Sequence, residues 1–296
     1  MNICPACAAR HSADDFRCPA CGFDPPCVRG IPLLAPALAA AVSGFDAAEF
    51  QALAAGEAGH FWFEGRNAII LDRFRRFFRP ARDYLEVGCG TGFVLAAIAR
   101  TFPDMAVTAS EVLADGLAHA APRAPRARLL QLDARALPFE AAFDVIGAFD
   151  VLEHIAEDAL VLSQMHRALR PGGGVLLAVP QHPWLWSAQD EIARHVRRYR
   201  RDELEHKLRT AGFEVLHSTS FMTLLLPLLW LSRTRRAAAR GAGDARAAAD
   251  AELAPPAWIN AICAAALAAE RVAIRGGLRL PLGGSRLVVA RRLEPA

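Results

Sequence analysis

From His60 onward the apolar positions follow two alternating periods. Phe61, Ala68, Leu71, Phe74 and Phe78 recur at helical spacing, and Pro80 ends the pattern. Short apolar runs follow, at Tyr84–Val87, Ala106–Ser110, Leu129–Leu132 and Phe143–Phe149, then Val175–Val179, Phe213–Ser218 and Ser285–Ala290. Each has the length of a buried strand. Helical stretches lie between most of them, for example Asp158–Leu169 before the turn Pro171-Gly172-Gly173-Gly174, and Asp202–Ala211 before Gly212. Such alternation predicts an α/β fold: a mostly parallel seven-stranded sheet with helices on both faces. The long stretch 222–280, rich in Ala and Arg, is expected to form a helical cap inserted before the last strand. Residues 1–30 show little periodicity and read as a small metal-organised unit. Residues 31–58 read as a linker with some helix, and 59–296 as the main domain.

Composition narrows the picture. With 53% hydrophobic residues the chain can bury a sizeable core, so global disorder is excluded. The net charge of +3 is too mild to argue for nucleic acid by itself, although arginines cluster at 194–201 and 233–240. The apolar runs Ile31–Val42 and Phe221–Leu231 both contain proline and fall short of the roughly 20 residues that span a bilayer. Phe221–Leu231 is expected to be a buried cap helix or, alternatively, a peripheral contact with a membrane or lipid-linked substrate. The expected location is cytoplasmic, since cysteines stand where a secretion signal would need a charged and then an apolar region.

Cys4-Pro-Ala-Cys7 and Cys18-Pro-Ala-Cys21-Gly22 are two CxxC turns ten residues apart. Each turn brings two thiolates together, and four complete the tetrahedral shell of a structural Zn2+ site, a zinc ribbon. Cys27 is left over. With few apolar residues of its own, this unit should require metal to fold.

The segment Leu85-Glu86-Val87-Gly88-Cys89-Gly90-Thr91-Gly92-Phe93 runs a strand into a GxGxG turn that opens a helix. Glycine lets a ligand approach the backbone closely. The spacing departs from the GxGxxG of dinucleotide sites, because Phe93 stands where the third glycine would be. Glu86, just before the turn, suits a cationic aminoacyl group better than a pyrophosphate. This segment resembles motif I of the class I S-adenosylmethionine-dependent methyltransferases, which are Rossmann-like, over about residues 60–220 and the final strand. The resemblance implies that the glycine turn, Gly88, Gly90 and Gly92 with Glu86, holds the methionine part of the cofactor. It implies that Glu111 binds the ribose hydroxyls, and that Asp133, with Ala134, contacts adenine. Phe149 and Asp150 resemble the family's segment lining the cofactor, and Arg66 in Phe61-Trp62-Phe63-Glu64-Gly65-Arg66 resembles the arginine that reaches the cofactor carboxylate.

Methyl transfer to oxygen or nitrogen can use a general base. His154 follows the fourth strand and His195 the fifth, and either is a candidate. Trp184 and Tyr199, also after strand five, are candidate substrate contacts. The expected activity is methyl transfer to a small-molecule or glycan, cell-surface-type acceptor. Two alternatives stay open: an RNA methyltransferase that reads its substrate with the zinc ribbon, and a catalytically silent scaffold carrying a binding ribbon.

Overall fold

All seven expected strands form, because each apolar run is long enough to be covered on both faces by helices. The computed structural model describes residues 1–12, 15–41, 46–238 and 254–294. The N-terminal unit holds two small hairpins, β1 (Asn2–Ile3) with β2 (Arg10–His11) and β3 (Cys27–Val28) with β4 (Ile31–Pro32). Helices α1 (Pro36–Ala41), α2 (Ala47–Gly56) and α3 (Phe61–Phe77) follow. The main domain then alternates: β5 (Asp83–Val87), α4 (Phe93–Thr101), β6 (Ala106–Glu111), α5 (Ala114–Arg123), β7 (Arg128–Gln131), β8 (Phe143–Phe149), α6 (Asp158–Ala168), β9 (Leu169–Pro180). It continues with α7 (Ala188–Ile192), α8 (Glu203–Thr210), β10 (Phe213–Phe221), α9 (Leu226–Ala238), α10 (Ala257–Arg275) and β11 (Ser285–Arg292).

The sheet order is β7-β6-β5-β8-β9-β11-β10, with β11 antiparallel to both neighbours and the rest parallel. The order reverses between β5 and β8. A crevice opens at such a point outside the carboxyl ends of the strands, which fixes where a ligand can bind. The Pro171–Gly174 run, expected as a loop, lies inside β9. Pairing with β8 jumps from Phe143–Leu169 to Val145–Gly174, so the glycines form a bulge that lets the strand continue.

Two apolar layers cover the sheet. One contains Ile70, Phe74, Leu95, Leu117 and Leu267, and the other Val161, Met165, Leu204 and Leu208. The face of α3 differs from the expected stripe. Phe63, Ile69, Ile70 and Phe74 are its buried apolar residues, while Ala68 and Leu71 are half-buried. The reason is α10, which lies along α3 and joins it through the Arg271–Asp72 ion pair at 2.7 Å. By length and composition alone α10 could cross a membrane. Its Ala-rich sequence hid this from a search for large apolar residues.

Residues 31–58, expected as a linker, are bound to the main domain. Leu34 donates its amide to the Gln131 carbonyl at 2.8 Å, and the Gln131 side chain bonds both backbone groups of Ala35. Phe50 on α2 is buried. The middle of the expected cap, 239–253, lies outside the described residues.

His217 on β10 is buried, its ring 5.7 Å from that of Phe77. Burial first, and then the charge of Arg73, hold its pKa down at about 4. The unfolded chain therefore binds a proton that the folded chain refuses. Stability is whole above the ordinary histidine range near 6.5 and is lost as pH falls toward 4. Urea unfolding at pH 7.5 and pH 5 should show His217→Gln losing less stability than the parent, by on the order of 2 kcal/mol. Equal losses would mean that this imidazole is not what acid attacks.

Candidate functional site

A cleft of about 1640 Å³ opens at the switch point. Its floor is the glycine turn between β5 and α4. Gly92 caps α4 in the left-handed region (φ +79°), and a Cβ there would lie 2.8 Å from the Ala120 backbone on α5. Gly92 thus packs helix on helix and does not line the cleft. Gly90 (φ +51°) has nothing within 4 Å of the same position, so its face is left open to the cleft. Gly88 lines the cleft beside Val151.

Glu86 ends up buried beneath this turn and opens on the cleft. It accepts a hydrogen bond from the Tyr84 hydroxyl at 2.9 Å. Burial pushes its pKa up to about 8 against the opposing pull of that bond and of Arg66. At neutral pH it is therefore held as the neutral acid, and a cation brought beside it would favour its ionised form. Glu111, at the end of β6, accepts from the Gly90 amide at 3.0 Å and from Val112 at 2.8 Å. It therefore ties the glycine turn to the second strand while still lining the cleft. Asp133 caps the short turn Ala134–Ala136 and pairs with Arg135 at 3.0 Å. Ala134 and Phe149 are buried along the same wall. Arg66 forms an ion pair with Asp150, and its guanidinium stacks 4.3 Å above the Trp62 ring. All of these reach one cleft although they are spread over residues 66–150.

The candidate bases also meet there. The His154 and His195 rings stand edge to face, 4.8 Å between centroids. Burial, and then His195, hold the His154 pKa at about 4, so its imidazole is neutral at pH 7. His195 Nδ1 lies 2.9 Å from Asp190 Oδ1. Asp190 is fully buried and also accepts from Arg198 Nε at 2.6 Å. Burial alone would raise its pKa. The bonds to His195 and Arg198 outweigh it and hold the carboxyl at about 2.

Two sequence-based candidates are elsewhere. Tyr199 is fully buried away from the cleft and donates to Asp158 at 2.7 Å, so it is a core residue. Trp184 is exposed, stacks on His182 at 5.2 Å, and borders a shallow groove with Leu226 and Trp230. Both follow strand five, but Trp184 sits on the short turn Pro183–Leu185 with its ring in the outer groove, and Tyr199, beside the cleft-lining Arg198, buries its side chain in the core.

Sequence reasoning missed Glu57, Arg123, Glu153 and Asp190. Glu57 at the end of α2 accepts from the Thr91 hydroxyl at 2.5 Å and pairs with Arg123, tying α2 to the glycine turn. As isolated helix charges these carry no local signal. Glu153 stood in plain view in Leu152-Glu153-His154, a carboxylate inside an apolar run.

In the N-terminal unit, Sγ atoms of Cys4 and Cys21, and of Cys7 and Cys18, lie 3.7 Å apart, and all four lie within 4.8 Å of one another. Four sulfurs so close, without a disulfide, fit one tetrahedral ion.

Comparison with known proteins agrees with this geometry. A family profile described as a methyltransferase domain matches residues 61–218. A Mycolicibacterium smegmatis protein named "Probable S-adenosylmethionine-dependent methyltransferase" is 33% identical over 163 residues, 53% of this chain and 60% of that one. An O-methyltransferase of Penicillium expansum is 30% identical over 165 residues, 51% of this chain and 59% of its own. The chain thus spans about 60% of the length of these curated relatives. Among solved structures, Haemonchus contortus phosphoethanolamine N-methyltransferase 2 with S-adenosylmethionine superposes at a TM-score of 0.50 and 20% identity, covering 77% of this chain and 52% of that one. That likeness concerns the fold. On the matched domain, the strand order and the glycine turn together, the chain belongs to the family of S-adenosylmethionine-dependent methyltransferases.

Proposed function

We propose that the protein transfers the methyl group of S-adenosylmethionine to a small-molecule acceptor in this cleft. The observation that carries the reading is the gathering of Glu86, Gly90, Glu111 and Asp133 at the mouth of the switch point. When bound, S-adenosylmethionine supplies a sulfonium methyl, and the pair of electrons from the broken S–C bond stays on sulfur. The chain's own residues bind and orient. Glu86 meets the ammonium of the methionine moiety, Gly90 admits the cofactor backbone, and Glu111 and Asp133 face the ribose and adenine. On this reading Arg66, buried beside Asp150, takes the cofactor carboxylate. Water is kept out by α2 and the cap, whose Met222 and Leu225 line the cleft.

Several observations favour a small acceptor over RNA. The arginines of 194–201 are largely engaged with carboxylates: Arg197 with Asp158 at 2.9 Å, Arg198 with Asp190, Arg194 with Glu49 at 3.5 Å. Exposed Leu224, Leu228 and Trp230 at the start of the cap give a lipid-linked glycan or a membrane surface a place to touch. The four N-terminal cysteines hold structural zinc on this reading.

Glu86 supplies the test. Protonated in the free protein below about pH 8, it must ionise to meet an ammonium. Binding of S-adenosylhomocysteine should therefore release a proton at pH 7. Affinity should climb about tenfold per pH unit between roughly 6 and 8, then level off. Calorimetry in two buffers of different ionisation enthalpy measures this directly. Glu86→Gln should bind more weakly and without the pH dependence. Binding with no proton release would remove Glu86 from the ammonium, and no binding at all would sink the proposal.

A further inference from the structure

Glu153 is fully buried, lines the cleft, and neither of its carboxylate oxygens has a hydrogen-bond partner among the described residues. An ionised carboxylate in that position costs several kcal/mol unless a cation meets it. The nearby guanidiniums are engaged elsewhere, Arg66 with Asp150 and Arg198 with Asp190. Two imidazoles stand beside it instead. His195 Nε2 lies 3.9 Å from Glu153 Oε1, and one ligand atom from each of Glu153, His154 and His195 falls within 4.8 Å of the others. A separation of 3.9 Å is too long for a hydrogen bond. Two ligands on one tetrahedral ion at about 2.0–2.2 Å each stand roughly 3.3–3.6 Å apart, so this pair has to close by only a few tenths of an ångström to share one.

The surroundings of the imidazoles fit as well. Asp190 receives His195 Nδ1, which leaves Nε2 bare toward Glu153. Asp190 is itself fixed by the Ser187 amide at 2.8 Å and by Arg198. Histidines that ligate metals are held in this way, by a carboxylate or carbonyl on the second nitrogen.

We propose that Glu153, His154 and His195 form a second metal site. It takes a borderline divalent transition cation, Zn2+ or Fe2+, and offers open coordination positions to a hydroxyl oxygen of the acceptor. Two imidazoles and one carboxylate are the donor set these ions accept while keeping open positions. The ion lowers the pKa of the bound hydroxyl, whose proton leaves to solvent, so that the oxygen faces the methyl donor as an anion. The role of the hydroxyl rests on the methyltransferase reading, whereas the metal site itself does not.

The test is a Co2+ titration of the full, chelator-stripped, reduced chain. Two ions per chain are expected. One carries the near-ultraviolet thiolate-to-cobalt charge transfer of the cysteine cluster, and the other lacks it. Glu153→Gln and His195→Ala should each weaken the second ion by at least tenfold and leave the thiolate-bound one intact. Wild-type protein that binds only the thiolate-linked ion overturns the proposal, even if neither variant folds. So does a second ion that persists unchanged in both variants. Calorimetry with S-adenosylhomocysteine separates the two readings: two ions without cofactor binding keeps the metal site and removes the methyltransferase.

Discussion

Gly92→Ala is expected to destabilise the fold by roughly 2–5 kcal/mol, whereas Gly90→Ala is expected to cost the fold only about 1–2 kcal/mol and to weaken cofactor binding at least tenfold. The two glycines share a turn and a left-handed backbone, so strain alone costs each about 1–2 kcal/mol. They differ in what a methyl group would meet. At Gly92 it strikes the Ala120 backbone at 2.8 Å, and a helix backbone cannot step aside as a side chain can. Overpacking of that kind adds roughly 1–3 kcal/mol and pushes α4 off α5. At Gly90 it enters open space on the cleft side, the face by which the cofactor approaches on the proposed reading. Chemical denaturation and calorimetry with S-adenosylhomocysteine read the two effects separately. Affinity for the cofactor should fall by at least tenfold in Gly90→Ala. If Gly90→Ala binds normally, the cofactor does not approach the turn from this face.

On the proposal that Cys4, Cys7, Cys18 and Cys21 hold zinc, removing it is expected to unfold the N-terminal unit and leave the seven-stranded sheet standing. The N-terminal unit has two-residue strands and little core of its own. The free energy of zinc binding, about 10–16 kcal/mol in isolated zinc-finger peptides, is its folding free energy. The unit is also docked. Phe16 is fully buried against Phe139 at 5.8 Å, Ile3 donates to the Pro138 carbonyl at 2.9 Å, and Arg10 pairs with Glu140. Losing the burial of Phe16 costs the main domain about 1.5–3 kcal/mol, a fall of roughly 5 °C in melting temperature. The Cys18→Ser/Cys21→Ser variant, or chelator, should make the first 30 residues sensitive to protease while the rest resists. Continued protection of that segment after quantitative zinc loss would mean that sulfur packing, not metal, holds it.

The linear pattern was enough for the parts of this protein governed by local rules. Strand positions followed from short apolar runs because a parallel sheet covered on both faces demands them. The cluster of four cysteines followed from CxxC spacing because two thiolates on one tight turn are neighbours by geometry. The gathering of these acids at one cleft followed from the ordered strand ends, since β5, β6, β7 and β8 present Glu86, Glu111, Asp133 and Asp150 at or just past their carboxyl ends. Other features were settled only by contacts between segments distant in sequence. Residues 31–58 look like a linker because their partners, Gln131 and Arg123, lie some 70–100 residues away. Tyr199 and Trp184 sit where the sequence places a pocket, but the direction of the chain after β9 takes one into the core and the other to the surface. Asp190 and Arg198 read as solvated charges on a short helix and loop, and become a buried brace only when α7 closes on the cleft beside His195. Glu153 had a local signal, its place in an apolar run. Its lack of a hydrogen-bond partner emerged only once the fold had paired Arg66 and Arg198 with other acids, because a side chain's partners are set by packing and not by order along the chain.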